Sequence, residues 1–565
     1  MAKRNSRSWE CFFIVLGIIA ALLITGCGTK IPLRQQVTFI KEGVALNWND
    51  YGLPESPEVF TIGLDGQQEA IKWRRVNDKI ILESSWQPGT LLQARLAGQS
   101  WQGRAPQTPT PLLWSTHELG GLEQTPSVKE WSPVVYEDVA ISPDGRYIGV
   151  ASFDHNIYMY GADGKKMWEY RIPGGVGMTI AFAPDSLRVY VGEASAEANV
   201  YALDTATGKI IWQYAMAADI GGQDSVKWNS RPKVTGLVVS GEKVIVSAEY
   251  VQRVAIKNGE RAKVKYVTAC VIRSMDGTNG DGNWRYPEQG VMDTGVSKIT
   301  VSADGTKLAF ANHSWSRGQE YPDGGVRILN GITGGQIGFH LLAPKGGQFS
   351  YVGIFDGIDL SSNGQYLAVI TADNRGMLFD AGSITTGGEP HQEMPLLWQR
   401  QVSKIQEVGG VPVYAYGNTA HTDNNGQVFF MTGATFVADK TATTGAPPFL
   451  HPDATTMFAY GNDGECLWRW QSEGGISKLR FSRDGKYAVL PVYHNYVTRQ
   501  KDRAGIYCLD LQRSRGEPLV WFYPLAGVAV AVGISDRNGL IAGVEIPVRQ
   551  MDDRPVGKHR LHILQ

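Results

Sequence analysis

The chain has 565 residues, a formal net charge of −1 and 66 glycines. That length allows a large core and more than one domain, and the near-neutral balance argues against a nucleic-acid partner. Plentiful aromatic residues, abundant glycine and scarce helical periodicity point to many short strands joined by turns and exclude a disordered chain.

Residues 1–26 read as a targeting segment outside the fold. Lys3, Arg4 and Arg7 give a basic start, and Cys11–Ile24 is an apolar run of 14 residues. That run is shorter than the ~20 residues a membrane-spanning helix needs. It ends in Ile24-Thr25-Gly26-Cys27. This pattern resembles a bacterial lipoprotein signal with its lipobox, in which small residues admit the peptidase and the cysteine thiol carries the lipid. The resemblance implies that Cys27 is acylated and becomes the mature N-terminus, on the periplasmic face of a membrane or on the outer surface of a cell with a single membrane. Cys270, Cys466 and Cys508 remain, with no metal or redox spacing among them.

Residues 27–104 have the texture of a small β-sandwich-like domain. Val37–Trp48, Val59–Leu64, Ala70–Val76, Lys79–Ser84 and Leu91–Ala97 read as strands. Asp65-Gly66, Asn77-Asp78 and Pro88-Gly89 punctuate them. Residues 105–111, APQTPTP, are a Pro-rich linker expected to be extended and stiff.

From residue 112 onward one pattern recurs. Its clearest copy is Asn199–Tyr214, NVYALDTATGKIIWQY: a strand, a turn of Asp204, Thr205, Thr207 and Gly208, and a second strand carrying Trp212. Related copies are YMYGADGKKMWEY from Tyr158, VIRSMDGTNGDGNWRY from Val271, MFAYGNDGECLWRW from Met457 and IYCLDLQRSRGEPLVWF from Ile506. The copy from Val326 to Phe339 lacks a tryptophan, and the one beginning MLFDAGS has a longer turn. Before each lies another strand pair around a tight turn, as in ISPDGRYIGVAS, VSADGTKLAFAN and FSRDGKYAVLPV. Four strands in roughly 40–70 residues make one blade of a β-propeller.

The ALDTATGKIIW stretch resembles the AxDxxTGxxxW blade motif of the quinoprotein-like (PQQ-like) β-propeller superfamily, and the PDG-type turns are similar to those of WD40-like propellers. The resemblance covers residues 112–565 and implies an all-β fold. The count predicts eight four-stranded blades. Leu112–Leu119, with Trp114 at the repeat's tryptophan position, serves as the outer strand of the last blade, beside Val528–Ile534, Leu540–Ile546 and Leu561–Leu564. Such closure removes exposed sheet edges. Trp114, Trp168, Trp212, Trp284, Trp398, Trp468 and Trp521 are read as structural blade tryptophans.

Propeller geometry sorts the connections. The A–B turns are tight, whereas the long segments are mostly B–C and D–A connections on one face: Ala218–Lys233, Tyr250–Lys265, His313–Gly325, Ala343–Val352, Lys404–Tyr416, Thr435–Thr455 and Tyr493–Arg503. Loops on a rigid scaffold carry binding. Ligand- or partner-binding candidates on this face are Trp228, His313, Trp315, Arg317, Tyr321, Tyr351, Tyr416, Tyr493, His494 and Tyr496, with Asn229, Tyr414 and His451 beside them. Taken singly, each is better explained by packing of loop against loop.

The superfamily includes dehydrogenases that hold pyrroloquinoline quinone over Ca²⁺ at the propeller axis, often against a vicinal cysteine pair. No Cys-Cys occurs here, and no aspartate matches their catalytic base. Asp276–Asn283 fails the EF-hand pattern, since Pro287 stands where Glu is required. The leading expectation is therefore a non-catalytic, membrane-anchored propeller at the cell envelope with a protein partner, no cofactor and no metal. It resembles in architecture the assembly-factor lipoprotein propeller of the outer-membrane β-barrel machinery, which lacks the extra N-terminal domain. A PQQ-dependent dehydrogenase, and a carbohydrate or small-ligand binder using the long-connection face, are the alternatives.

Overall fold

The computed structural model describes residues 37–40, 43–47, 59–62, 68–70, 72–76, 79–83, 91–96, 99–104, 113–120, 137–221, 231–258, 261–313, 324–342, 353–354, 356–387, 391–408, 411–437, 451–472, 474–493, 504–513, 518–549 and 555–565. The signal segment and Cys27 lie outside them. The chain divides into two units, residues 1–105 and 106–565.

In the first unit, Val37–Ile40, Gly43–Asn47, Lys79–Glu83 and Trp73–Val76 are neighbours in one sheet. Gln68–Ala70, Val59–Ile62, Leu91–Leu96 and Gln99–Arg104 make a second. The expected strand Val37–Trp48 is in fact a hairpin in which Ile40 faces Gly43. Gln99–Arg104 was not anticipated, because QSWQGR shows little apolar alternation. Ile81 and Leu82 are adjacent and both buried, so their strand is covered on both faces.

The second unit is built of four-stranded antiparallel repeats. In the second repeat, Val176–Phe182, Arg188–Ala194, Asn199–Asp204 and Ile210–Ala215 pair in chain order. The first three strands are almost wholly buried, and the fourth turns one face to solvent. The same four-strand order recurs from Asp138–Ile141 through Lys166–Arg171 in the first repeat and from Val411–Thr422 through Cys466–Gln471 in the sixth. The seventh, from Gly475–Ile476 to Leu519–Pro524, has its inner strand split in two. The last repeat is Val528–Ile534, Ile541–Ile546 and Arg560–Leu564, completed by Leu113–Glu118, which pairs antiparallel with Arg560–Leu564. Repeated sheets of this order, buried inside and half-exposed outside, are those of a β-propeller.

The tight turns follow from side-chain chemistry. In the fourth repeat the Ser302 hydroxyl donates to Asp304 Oδ1 (2.6 Å) and accepts from the Lys307 amide (3.1 Å), while Asp304 Oδ1 accepts from the Thr306 amide (3.0 Å). Gly305 closes the turn at φ 69°, a conformation glycine adopts without steric cost. Hydrogen bonds from Ser302 and the Thr306 amide hold the Asp304 carboxyl below its ordinary value. Ser142, Asp144 and Gly145 repeat the arrangement, as do Ser482, Asp484 and Gly485.

The tryptophans join one repeat to the next. Trp168 Nε1 donates to Thr205 O (2.8 Å), Trp212 to Gly277 O (3.0 Å), Trp284 to Gly331 O (3.2 Å) and Trp398 to Asn462 O (3.1 Å). Each indole lies flat on a turn glycine of the following repeat. A Cβ on Gly280 would stand 2.8 Å from Trp212, and one on Gly464 2.9 Å from Trp398. Trp468 and Trp521 are also buried. Each outer strand slips register by one residue just before its tryptophan, so a bulge aims the indole at the neighbour.

This register corrects one expectation. In the last repeat Ile563 faces Ser115 and Leu564 faces Leu113. Ser115 therefore occupies the tryptophan position, and Trp114 falls at the bulge, where the second repeat has Ile211. Consistently, Gly164 of the first repeat packs on Ser115 and His117, whose ring sits 4.9 Å from that of Tyr160. In the fourth repeat the position belongs to Gly338. Ile384 and Met394, from the long turn of the next repeat, fill the space, and Gln392–Glu393 adds a fifth, parallel strand.

Two expected loops are sheet. Tyr250–Lys265 lies within a hairpin of Lys243–Asn258 on Arg261–Asp276, paired without interruption from Lys243↔Asp276 to Asn258↔Arg261. Lys404–Tyr416 contains the hairpin Gln406–Val408 on Val411–Val413. Ala217–Ile220, at the start of another expected connection, is one helical turn.

Candidate functional site

Two sets of polar residues stand out in the second unit. The first is a series of buried carboxylates where the second strand of a repeat gives way to the third. Asp154 Oδ2 accepts from Tyr158 OH (2.6 Å), and Asn156 Nδ2 donates to the same phenol oxygen (3.1 Å). In the next repeat Glu193 accepts from Tyr201 OH (2.9 Å), Asn199 Nδ2 (2.8 Å) and Ser195 Oγ (2.5 Å). Glu249 pairs with Lys233 (3.1 Å), Asp373 with Arg375 (2.9 Å) and Glu545 with His562 (2.8 Å). A buried carboxylate must be paired or hydrogen-bonded, and these are. They brace the bases of the connections. Sequence reasoning missed them, although the acid followed by Asn-x-Tyr in FDHNIY and EASAEANVY was the available signal.

The seam between the last and first repeats holds the densest of these networks. His559 Nε2 meets Glu137 Oε1 at 2.9 Å, and its Nδ1 donates to Gly120 O at 2.6 Å, with Asp154 Oδ2 at 3.7 Å. Both ring nitrogens thus face acceptors, which the doubly protonated ring satisfies. Burial opposes the charge, yet Glu137, the Gly120 carbonyl and Asp154 outweigh it and raise the His559 pKa to about 9.

The second set lines an axial cavity of about 330 Å³, walled by inner-strand residues of the first seven repeats. Arg480 reaches across to Asp138. Asp138 also accepts from the amides of Val139 (3.0 Å) and Ile180 (3.2 Å) and from Thr179 Oγ1 (3.3 Å). Lys298 lies 3.8 Å from Asp359 and donates to Ala420 O (3.4 Å). Asp359 takes His421 Nδ1 (2.7 Å) and the Thr422 amide (3.1 Å), and the His421 ring stacks on Phe481 at 3.8 Å. Burial would raise the Asp359 pKa, but Lys298 and His421 outweigh it and hold the carboxyl below its ordinary value. Lys478 Nζ reaches Met178 O at 3.5 Å.

Of the residues read as binding candidates, Trp228, Trp315, Arg317, Tyr321, Tyr351, His494 and Tyr496 lie outside the described residues, as does Asn229. Those described point inward. His313 Nε2 meets Ser297 Oγ at 2.5 Å, and burial lowers its pKa. Tyr416 donates to Asn418 Oδ1 (3.2 Å), with its ring pressed on Gly433. The Tyr493 ring presses on Gly475, and burial raises its pKa. Burial pushes Tyr414 up to about 12. Tyr414, Tyr416 and Tyr493 share one neighbourhood, in which Asp356 also acts on Tyr416 and His313. His451 is fully buried and meets Lys404 O at 2.8 Å. Among the described residues no group of three or more His, Cys, Asp or Glu is placed to hold a metal ion.

The repeat sheets, the bulge-aimed indoles and the axial inner strands define a β-propeller. Residues 153–429 match a PQQ-type family model described as outer membrane protein assembly factor BamB. Among solved structures, BamB from Moraxella catarrhalis is 14% identical, with 80% of this chain and 97% of that chain covered and a TM-score of 0.43. The computationally designed Ika8 protein is 13% identical, with 77% and 98% covered and a TM-score of 0.45. No curated protein matches the sequence.

Proposed function

We propose that the chain is a non-catalytic propeller scaffold, held at the cell envelope by a lipid on Cys27, that assists assembly of outer-membrane proteins. The match of residues 153–429 to the family described as outer membrane protein assembly factor BamB carries this reading. The signal-like residues 1–26 and the lipobox sequence support the anchor. In this reading the propeller closes as an eight-bladed ring. The pairing of Leu113–Glu118 with Arg560–Leu564 supports closure, as do the His559–Glu137 contact and the bond from Asn538 Nδ2 to Gly145 O (3.1 Å) across the same seam. The first unit is a small β-sandwich-like domain followed by the Pro-rich linker. A protein partner docks on the long-connection face, where Trp228, Trp315, Arg317, Tyr321, Tyr351, His494 and Tyr496 supply aromatic and cationic anchors.

The test is photocrosslinking from single positions in intact cells. A crosslinker at Trp228 or Tyr321 should capture a component of the outer-membrane assembly apparatus, whereas one at Lys209, in an A–B/C–D-side turn, should not. Equal capture from both faces, or none from the first, would count against the reading.

A further inference from the structure

We propose that the axial cavity binds a small zwitterion, a molecule of amino-acid or short-peptide size with one ammonium and one carboxylate group. The argument is one of charge. Five ionisable side chains line the cavity: Asp138, Lys298, Asp356, Lys478 and Arg480. Asp138 and Arg480 neutralise each other, and Asp138 is saturated by three further donors. Lys298 is held by Asp359 and by the Ala420 carbonyl. Among the described residues, Lys478 and Asp356 then have no ion-pair partner, and the Lys478 ammonium meets a lone carbonyl at 3.5 Å. Among the described residues, one uncompensated charge of each sign is left lining the same cavity.

The two charges come from different parts of the ring. Lys478 lies between the two short inner strands of the seventh repeat, and Asp356 precedes the inner strand Ile358–Leu360 of the fifth. A partly desolvated charge without a counter-charge is costly. A simple anion would satisfy Lys478 and repel Asp356, and a simple cation the reverse. A ligand carrying both charges satisfies both groups at once. The volume of about 330 Å³ is at the lower end of the range for small-molecule sites and suits a ligand of this size. This inference is independent of the envelope partner and concerns the axis, not the long-connection face.

The test is isothermal calorimetry on the full-length protein with triglycine as probe. N-acetyl-triglycine amide, which lacks both charges, is the control. Triglycine should bind saturably to one site and the blocked peptide should not. Lys478→Met and Asp356→Asn should each weaken triglycine binding by about tenfold or more, as expected for loss of one partner of a charged contact. Their thermal midpoints should match the native protein, since neither residue holds an ion pair among the described residues. No saturable triglycine binding up to about 10 mM, equal binding of the blocked peptide, or native affinity in either variant would overturn the proposal.

Discussion

Replacing His559 by Gln should weaken the seam in a pH-dependent way. In the unfolded chain the imidazole titrates near 6.5, whereas in the fold its pKa is about 9. The fold therefore favours the protonated ring. That stabilisation is complete below about pH 6.5, fades as pH rises, and is gone once pH passes through 9. A separation of about 2.5 pKa units corresponds to about 3 kcal/mol at most. His559 and Glu137 are both nearly inaccessible, so solvent screening removes little of it. Glutamine can still donate to Gly120 O but leaves Glu137 without its counter-charge, a loss of similar size. Urea unfolding of detergent-solubilised full-length protein should show the variant less stable by about 3 kcal/mol at pH 6, with the gap closing by about pH 10. An equal deficit at both pH values, or none at pH 6, would show that His559 is not held as a cation.

The other predictions are simpler. Trp212→Ala removes a buried indole, its bond to Gly277 O and its stacking on Gly280, and should cost about 3–5 kcal/mol in chemical denaturation; a loss under about 1 kcal/mol would deny it the role of joining repeats. Deleting residues 555–565 takes away the partner of Leu113–Glu118 and the seam histidine together, and should lower the melting transition of the whole second unit, where simple fraying would leave its midpoint in place. Cys27→Ser should stall processing or release the protein into the soluble fraction, as followed by fractionation and mass spectrometry; unchanged retention with normal processing would remove the lipid anchor.

The repeat was legible because turn chemistry and tryptophan spacing are local. Ser-x-Asp-Gly turns and the ALDTATGKIIW pattern place strands without tertiary information. Register was less so: Trp114 reads as the repeat's tryptophan in its strand, but a one-residue bulge decides which side chain faces the neighbour, and that place falls to Ser115. The tip of the hairpin Lys243–Asn258 on Arg261–Asp276, from Tyr250 to Lys265, reads as a loop because charged residues there interrupt the apolar pattern. The axial cavity was invisible in sequence. Asp138, Lys298, Asp356, Lys478 and Arg480 come from four repeats and share no local motif; only the ring brings them to one axis.

The most direct measure of the proposed role is the folding of outer-membrane β-barrel proteins in cells depleted of this chain. Heat-modifiable, folded barrels should fall relative to their unfolded forms in the depleted strain, and the full chain should restore them. Unchanged levels of folded barrels on complete depletion would contradict an assembly role.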